Sequence, residues 1–268
     1  MTSLDSLTEL VAAAVREVSE TVIEPRFNAL LDGDVEEKSP GEIVTVADRD
    51  AEMLLTTRLE GMLPGVPVIG EEACAVDPGR LGALGAERVW LVDPLDGTPN
   101  FVAGSPDWAV MIALLEAGAT VASWIWQPIV QRMYLAERGA GAFCNGVRLQ
   151  TGSRPSDASD LHGAVLSRFL DPVTAKTVTR NTSQFAAIAS GRRCAGVEYP
   201  ALIDGDTDFV LFWRTLPWDH APGVLLVEEA GGTGRRPDGS RYRPGADGVG
   251  LLVAADSATW DLASQILA

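Results

Sequence analysis

The sequence predicts an α+β protein in which helices and strands alternate along the chain. Three observations support this fold class. Apolar residues recur at helical spacing near the N-terminus, closely spaced strand-like runs follow between residues 108 and 137, and helical and strand patterns alternate after residue 160. With 268 residues, 46% of them hydrophobic, the chain can bury a core as one large or two small domains. The polar segment 151–160 is the expected boundary between domains 1–152 and 153–268.

Two helices are predicted before the first strand. The first runs from Ser3 to about Leu31, with its apolar residues at helical spacing. The polar, turn-rich segment 32–41 then predicts a mobile loop. Thr45 is the expected N-cap of a second helix that ends near Leu63, and Asp48 in its first turn compensates the helix dipole.

The middle of the chain predicts an antiparallel sheet. Residues 67–70 form a short strand that ends at two adjacent glutamates, Glu71 and Glu72. Strand-like runs with short turns between them are typical of antiparallel pairing. These runs are Trp108–Glu116, Thr120–Trp126 and Arg132–Glu137, followed by a hairpin over Phe143–Leu149 around Asn145-Gly146.

The second half predicts alternating elements. Strands are expected near 163–167, through Val197, and at 209–212 and 251–254. Helices are expected over 183–189, 221–230 and 257–267. Trp218-Asp219 opens the middle helix, Gly231-Gly232 ends it, and Ser257 caps the last one.

Residues 90–101 contain an apolar strand that ends in two aspartates. Asp93 and Asp96 lie three residues apart, with Pro94 fixing a bend between them. Two anions held this close repel each other, which favours a bound cation. Gly97 and Thr98 offer backbone N–H groups in the first turn of a helix, where a phosphate can be accepted. The alternative for this segment alone is an aspartate-rich turn.

Composition limits the possible partners. The formal net charge is -16, and Lys38 and Lys176 are the only lysines. Such acidity disfavours nucleic acids and anionic membranes, and it requires bound cations if the substrate is anionic. The scattered cysteines Cys74, Cys144 and Cys194 indicate neither a disulfide framework nor a zinc cluster, and they fit a reducing cytoplasm. We expect no signal peptide and no transmembrane span.

Residues 90–101 resemble the first signature of the inositol monophosphatase family, W-x-[IV]-D-P-[IL]-D-G-T-x-N-[FY]. Three further stretches match that family in the same order: residues 44–48 with Glu52, residues 69–72, and residues 217–223 running into 228–232. The resemblance implies the layered αβαβα sandwich of the inositol monophosphatase and fructose-1,6-bisphosphatase type. It also implies a Mg²⁺-dependent, lithium-sensitive phosphate monoester hydrolase that uses two to three ions.

The resemblance also implies a set of site residues. The metal ligands would be Glu71, Asp93, the carbonyl of Leu95, Asp96 and Asp219, with a weaker third ion near Glu71. Asp48, Thr98 and Glu71 would be catalytic, because Asp48 and Thr98 orient or deprotonate the attacking water. The amides of Gly97 and Thr98 would hold the phosphoryl group. Lys38 lies ten residues before Asp48, and the sequence leaves open whether it reaches the metals.

Substrate contacts are assigned to Asp219, Phe212 and His220. Phe212 lies where inositol-selective members have a glutamate, so inositol 1-phosphate is expected to be accepted but not preferred; an insertion would instead bring Glu198 or Asp208 to that place. His220 either touches the substrate or lies at a helix terminus.

The substrate is expected to be a small phosphorylated compound. The candidates are inositol phosphates, fructose 1,6-bisphosphate, histidinol phosphate and 3′-phosphoadenosine 5′-phosphate. The alternative from a different class is a non-catalytic binding or regulatory protein. A homodimer is expected because family members usually pair and the region Trp108–Trp126 is apolar enough to face a partner.

Overall fold

Two large β-sheets are interleaved with three layers of helices in the structure, a computed structural model that describes residues 4–246 and 248–267. The first half contains α1 (Leu4–Val18), β1 (Val35–Ser39), β2 (Glu42–Thr45), α2 (Val46–Met62), β3 (Val68–Gly70), α3 (Glu71–Val76), β4 (Arg88–Asp96), α4 (Thr98–Val102), β5 (Ala109–Glu116), β6 (Ala119–Gln127), β7 (Arg132–Glu137), β8 (Gly141–Cys144) and β9 (Val147–Arg148). The second half contains β10 (His162–Val165), α5 (Pro172–Asn181), β11 (Ala187–Ala189), α6 (Ala195–Asp204), β12 (Phe209–Phe212), α7 (Pro217–Glu229), β13 (Thr233–Arg235), β14 (Leu251–Ala254) and α8 (Ser257–Leu267).

The larger sheet has seven strands in the order β3-β4-β5-β6-β7-β8-β9. Only its β3–β4 pair is parallel, so the antiparallel sheet predicted for residues 108–137 is confirmed. The smaller sheet has five strands in the order β11-β10-β12-β14-β13, with β10 parallel to both neighbours. Residues 151–160 connect the two sheets, and the division into domains there stays a prediction.

Buried side chains define the order of the layers. On one face of the larger sheet, α1 and α2 pack against β4, β5 and β6. Its other face packs against α6 and α7, which also cover the smaller sheet through β12 and β14. The outer face of the smaller sheet is covered by α5 and α8. The order is therefore αβαβα, as the sequence resemblance implied.

Several predicted elements differ from the structure near the N-terminus. The first helix ends as an α-helix at Val18. It continues as a π-helical turn (Ser19–Ile23) and then a 3₁₀ turn (Glu24–Arg26), because Pro25 has no N–H to donate to the helix. Ser3 lies outside the described residues. Half of the expected mobile loop 32–41 is instead strand β1, which pairs with β2. Solvent covers much of this two-stranded ribbon, so its sequence lacks apolar alternation.

Other differences lie in the second half. The strand expected through Val197 is helix α6, whose residues are buried on nearly all sides, and a short apolar run of this kind has no diagnostic period. The helix expected over 183–189 lies earlier, at α5. Asp171 begins α5 by accepting N–H groups of Val173 and Thr174 at 3.0 Å. Asp256, rather than Ser257, caps α8 by accepting the Thr259 N–H at 2.7 Å.

The tryptophan-rich region does not form an exposed surface. Trp108, Trp124 and Trp126 are each at most 2% exposed and belong to the core that the larger sheet shares with α1 and α2. Trp124 also donates its indole N–H to the Thr8 carbonyl at 3.0 Å. The expectation that this region faces a partner was therefore wrong, because its side chains pack inside one chain. No helix within residues 4–246 and 248–267 has the length and apolar character needed to cross a bilayer.

Candidate metal centre

A pocket of about 410 Å³ lies where the C-terminal end of β4 meets the first turns of α3, α4 and α7. All but one of the sequence-predicted site residues line this pocket: Glu71, Asp93, Leu95, Asp96, Gly97, Thr98, Phe212, Asp219 and His220. Asp48 lies behind it and contacts Thr98. The structure thus brings together residues that are up to 172 positions apart in the chain, from Asp48 to His220.

Three carboxylates form the centre of the pocket. One oxygen from each of Glu71, Asp93 and Asp219 lies within 4.8 Å of the others; Asp93 is buried and the other two are half-buried. Burial, followed by repulsion from the neighbouring carboxylates, raises the pKa of Asp93 and of Asp219 well above its ordinary value. Burial also raises the pKa of Glu71. Without a positive charge, this arrangement is electrostatically unfavourable.

A bulge in β4 directs both aspartates into the same pocket. In a regular strand, residues three apart point to opposite faces. Here Asp93 lies opposite Met111 and Asp96 opposite Ala109, so two residues, Pro94 and Leu95, stand against one on β5. The extra residue brings Asp96 to the same face as Asp93. Pro94 is tolerated inside the sheet because it occupies this bulge.

Asp96 lies beside the three clustered carboxylates and is held by the second half of the chain. Its Oδ2 atom accepts the Gly196 N–H at 2.6 Å and the Cys194 thiol at 3.1 Å. Burial is the largest influence on the Asp96 carboxyl and raises its pKa to about 6, against the effect of these donors. Asp96 therefore connects the end of β4 to the start of α6.

Asp48 and Thr98 are coupled by a direct hydrogen bond. The Thr98 hydroxyl lies 2.9 Å from Oδ1 of Asp48 and 3.0 Å from the Leu95 carbonyl. The other Asp48 oxygen accepts the Thr45 N–H at 2.8 Å and the Thr45 hydroxyl at 2.6 Å. Thr45 is thus the N-cap of α2, as predicted. Burial raises the pKa of Asp48 to about 6, which places this carboxylate in the range of a base.

Lys38 reaches the acid cluster from the β1–β2 hairpin. Its ammonium donates to Glu71 at 2.5 Å and to Glu72 at 2.7 Å. Lys38 has no partner in the β1–β2 register, so a bulge lets it turn toward the pocket. Burial lowers the pKa of Lys38, but the two glutamates outweigh this effect and raise it. The sequence left open whether Lys38 reaches the metal site, and in the structure it contacts the carboxylates there directly.

Glu52 lies in one of the stretches that match the family, but the sequence assigns it no role in the site. Its carboxylate accepts the N–H groups of Glu72 at 2.7 Å and Ala73 at 2.8 Å, at the start of α3. A Cβ at Gly70 would lie 2.3 Å from the Glu52 carboxyl carbon, so this close approach requires glycine. Glu52 thus fixes the turn that presents Glu71. Its helical position gives no sign of this contact in the sequence.

His220 is held inside the protein by two hydrogen bonds. Its Nε2 lies 2.9 Å from the Arg214 carbonyl and must donate to it, while Nδ1 accepts the Tyr199 hydroxyl at 2.8 Å. Burial lowers the pKa of His220 to about 3. The ring therefore remains neutral and positions the backbone of Arg214.

Phe212 lies at the pocket wall but is 3% exposed, and it stacks on Tyr199 with ring centroids 5.0 Å apart. Neither acid considered in its place lines the pocket. Glu198 accepts the Arg192 N–H, and Asp208 pairs with Arg154 at 3.0 Å. The aromatic side chains with more surface at this wall are Phe169 and Trp213.

The donor set fits Mg²⁺. Carboxylate and carbonyl oxygens are the ligands that this ion prefers, and a cation would relieve the repulsion within the cluster. Two of the carboxylates, on Glu71 and Asp219, also lie in first turns of helices, where the helix dipole stabilises negative charge. The site can therefore hold one or more divalent cations next to the Thr98–Asp48 pair.

Comparisons with known proteins agree with this geometry. A family model described as "Inositol monophosphatase family" matches residues 3–268. An inositol-1-monophosphatase from Rhizobium meliloti is 34% identical over 197 residues, which are 73% of this chain and 72% of that protein. A putative Nus factor SuhB from Neisseria meningitidis is 32% identical over 197 residues, 73% of this chain and 74% of that protein.

A solved inositol monophosphatase structure from Zymomonas mobilis superposes with a TM-score of 0.82. It is 26% identical in sequence, and the match covers 100% of this chain and 99% of that chain. The layered architecture and the matching family model therefore extend over the same residues.

Replacing Glu52 by Gln should weaken divalent-cation binding by about 10- to 100-fold, because supporting residues around metal ligands typically have effects of this size. The amide loses the negative charge that now accepts two N–H groups at the start of α3. Isothermal titration of Mg²⁺ measures the effect. Glu60→Gln is the matched control, since Glu60 is exposed on the same helix. Equal affinity in both variants would contradict a positioning role for Glu52.

Proposed function

The chain belongs to the inositol monophosphatase family, and from this premise we propose that it hydrolyses small phosphate monoesters with Mg²⁺ held by Glu71, Asp93, the Leu95 carbonyl, Asp96 and Asp219. It is a phosphatase of the inositol monophosphatase type, a phosphoric monoester hydrolase. The observation that carries the metal proposal is the cluster of three carboxylates within 4.8 Å. When bound, Mg²⁺ would increase the acidity of water and neutralise charge on the phosphoryl group.

Asp48 and Thr98 are the residues proposed to handle the proton of the attacking water. The Thr98 hydroxyl can donate to Asp48 across 2.9 Å and accept a hydrogen bond from water with its remaining lone pairs. Two donors from Thr45 hold one oxygen of Asp48, so the other, Oδ1, has a fixed direction toward the Thr98 hydroxyl. Water bound to Thr98 would therefore be oriented and would lose its proton toward Asp48.

The turn between β4 and α4 is proposed to hold the phosphoryl oxygens. Gly97 has φ of +87°, a conformation that favours glycine, and it caps α4 so that the helix begins at Thr98. A Cβ at Gly97 would lie 2.8 Å from the Asp107 carbonyl. This tight turn supports the proposal that the backbone N–H groups of residues 97 and 98 bind an anion beside the cations.

We further propose a cytoplasmic homodimer. All three cysteines are free thiols, with Cys144 half-buried and the other two buried, which supports a reducing compartment. Exposed apolar side chains support a dimer surface at the turns that follow β6 and β8, whereas the tryptophan-rich region is buried. Ile129, Val130 and Val147 are 42–69% exposed there, and Asn145 joins these turns by donating to the Gln131 carbonyl at 3.0 Å.

Asp93→Asn should abolish Mg²⁺-dependent phosphate release, because Asp93 is the buried member of the cluster and is proposed to contact both principal ions. Release of inorganic phosphate from inositol 1-phosphate, with Mg²⁺ or with excess chelator, is the measurement. Asp261→Asn makes the same chemical change at an exposed position of α8 and should retain the wild-type rate. Wild-type turnover in chelator, or in Asp93→Asn, would contradict the proposal. A non-catalytic binding protein would release no phosphate under any of these conditions.

Lithium at millimolar concentration should inhibit uncompetitively. This expectation rests on the match of Asp93, Asp96 and Asp219 to the second metal site of lithium-sensitive family members. Initial rates at several substrate concentrations, with LiCl compared with equal NaCl and KCl, distinguish inhibition from ionic strength. An unchanged rate in LiCl would show that this second site does not carry over to the chain.

A further inference from the structure

Two arginines of the catalytic pocket have no acidic partner among the residues that the structure describes. Arg193 lines the pocket with an exposed side chain and makes no hydrogen bond or ion pair within residues 4–246 and 248–267. Arg168 lines the same pocket, donates to the Gly41 carbonyl at 2.6 Å and lies 5.0 Å from the Phe169 ring. Acidic residues outnumber basic ones by 37 to 21, so such arginines are not explained by a shortage of carboxylates.

The third arginine of the pocket, Arg214, differs from these two because it has an acidic partner. Arg214 pairs with Glu42 on the β1–β2 hairpin, and its guanidinium lies 4.2 Å from the Phe169 ring. Its charge is therefore already balanced by the protein. The charges of Arg193 and Arg168 remain available to a ligand in the pocket.

The backbone of Arg193 is fixed relative to the metal centre. Arg193 has φ of +59°, a left-handed conformation that residues other than glycine rarely adopt. The preceding carbonyl, of Arg192, accepts the Asn100 side-chain N–H at 2.8 Å. Three residues further on, the Gly196 N–H donates to Asp96 at 2.6 Å. The turn that carries Arg193 is thus tied both to α4 and to a proposed metal ligand.

This turn separates two adjacent arginines. Arg192 pairs with Asp206 at 2.8 Å and does not line the pocket, whereas Arg193 does. The two residues therefore carry the same charge in different environments. Their contrast allows the contribution of Arg193 to be measured against a neighbouring control.

We propose that Arg193, assisted by Arg168, binds a second anionic group on the alcohol part of the substrate, and that the enzyme prefers phosphate esters that carry one. This inference rests on the proposed phosphatase function. A guanidinium binds a carboxylate or a phosphate through paired N–H groups, so both kinds of anion satisfy the same site. The scissile phosphate needs neither arginine, because the cations and the turn at Gly97 are assigned to it. A pocket of about 410 Å³ accommodates a small ester of this kind.

Two matched substrate pairs test the inference with the Mg²⁺-loaded enzyme. Glycerol 3-phosphate and 3-phosphoglycerate differ by a carboxylate, and fructose 1-phosphate and fructose 1,6-bisphosphate differ by a phosphate. The wild type should prefer the more anionic member of at least one pair, which identifies the group recognised. Arg193→Gln should lower kcat/KM for that member by roughly 10- to 100-fold, mainly through KM, and change the less anionic ester by less than about twofold.

Two further variants complete the test. Arg192→Gln removes the neighbouring charge and should leave both ratios unchanged, whereas Arg193→Lys keeps the charge without the planar fork and should give an intermediate ratio. Equal losses for both members of a pair in Arg193→Gln, or no loss, would overturn the inference. If the wild type hydrolyses none of the four esters with Mg²⁺, the proposed phosphatase function fails instead.

Discussion

Mutual repulsion among carboxylates is the constraint that governs this site. Glu71, Asp93 and Asp219 converge within 4.8 Å, where burial and proximity disfavour their charged forms. The surrounding structure holds them together nonetheless. The helix dipoles of α3 and α7 stabilise negative charge at Glu71 and Asp219, and Lys38 supplies a positive charge from the β1–β2 hairpin. A divalent cation would complete this balance, so a cluster that costs stability by itself becomes a binding site.

The layered fold explains how the cluster is assembled. The larger sheet supplies Asp93 from β4, while α7, packed between the two sheets, supplies Asp219. The β4 bulge turns Asp96 toward the second half of the chain, where the start of α6 binds it. The turn immediately before α6 carries Arg193. Metal binding and the proposed recognition of the alcohol part therefore depend on one short turn, which links the chemistry to substrate choice.

The family resemblance implied most of the residues that line the pocket, and local patterns with clear physical meaning supported some of them. Thr45 with Asp48 forms a cap, and Asp93-Pro94 marks a bend at a strand end. Residues whose roles depend on distant partners could not be predicted in this way. In the sequence Glu52 is one more acidic residue on a helix, and its hydrogen bond to the start of α3 is evident only in the structure. In the sequence Arg193 cannot be distinguished from Arg192, and only the fold of the turn gives them different environments. The sequence of α6 resembles that of a strand because the helix is buried on nearly all sides between two sheets.

The free energy of unfolding, measured with Mg²⁺ and with chelator at equal ionic strength, tests the central claim most directly. If the carboxylates form a cation site, Mg²⁺ at about 100 times its dissociation constant should stabilise the wild type by about 2.7 kcal/mol. Asp93→Asn should unfold no more easily than the wild type in chelator, since it removes a repelled carboxylate, and should gain little from Mg²⁺. Equal stabilisation of both proteins by Mg²⁺, or none of either, would contradict the account.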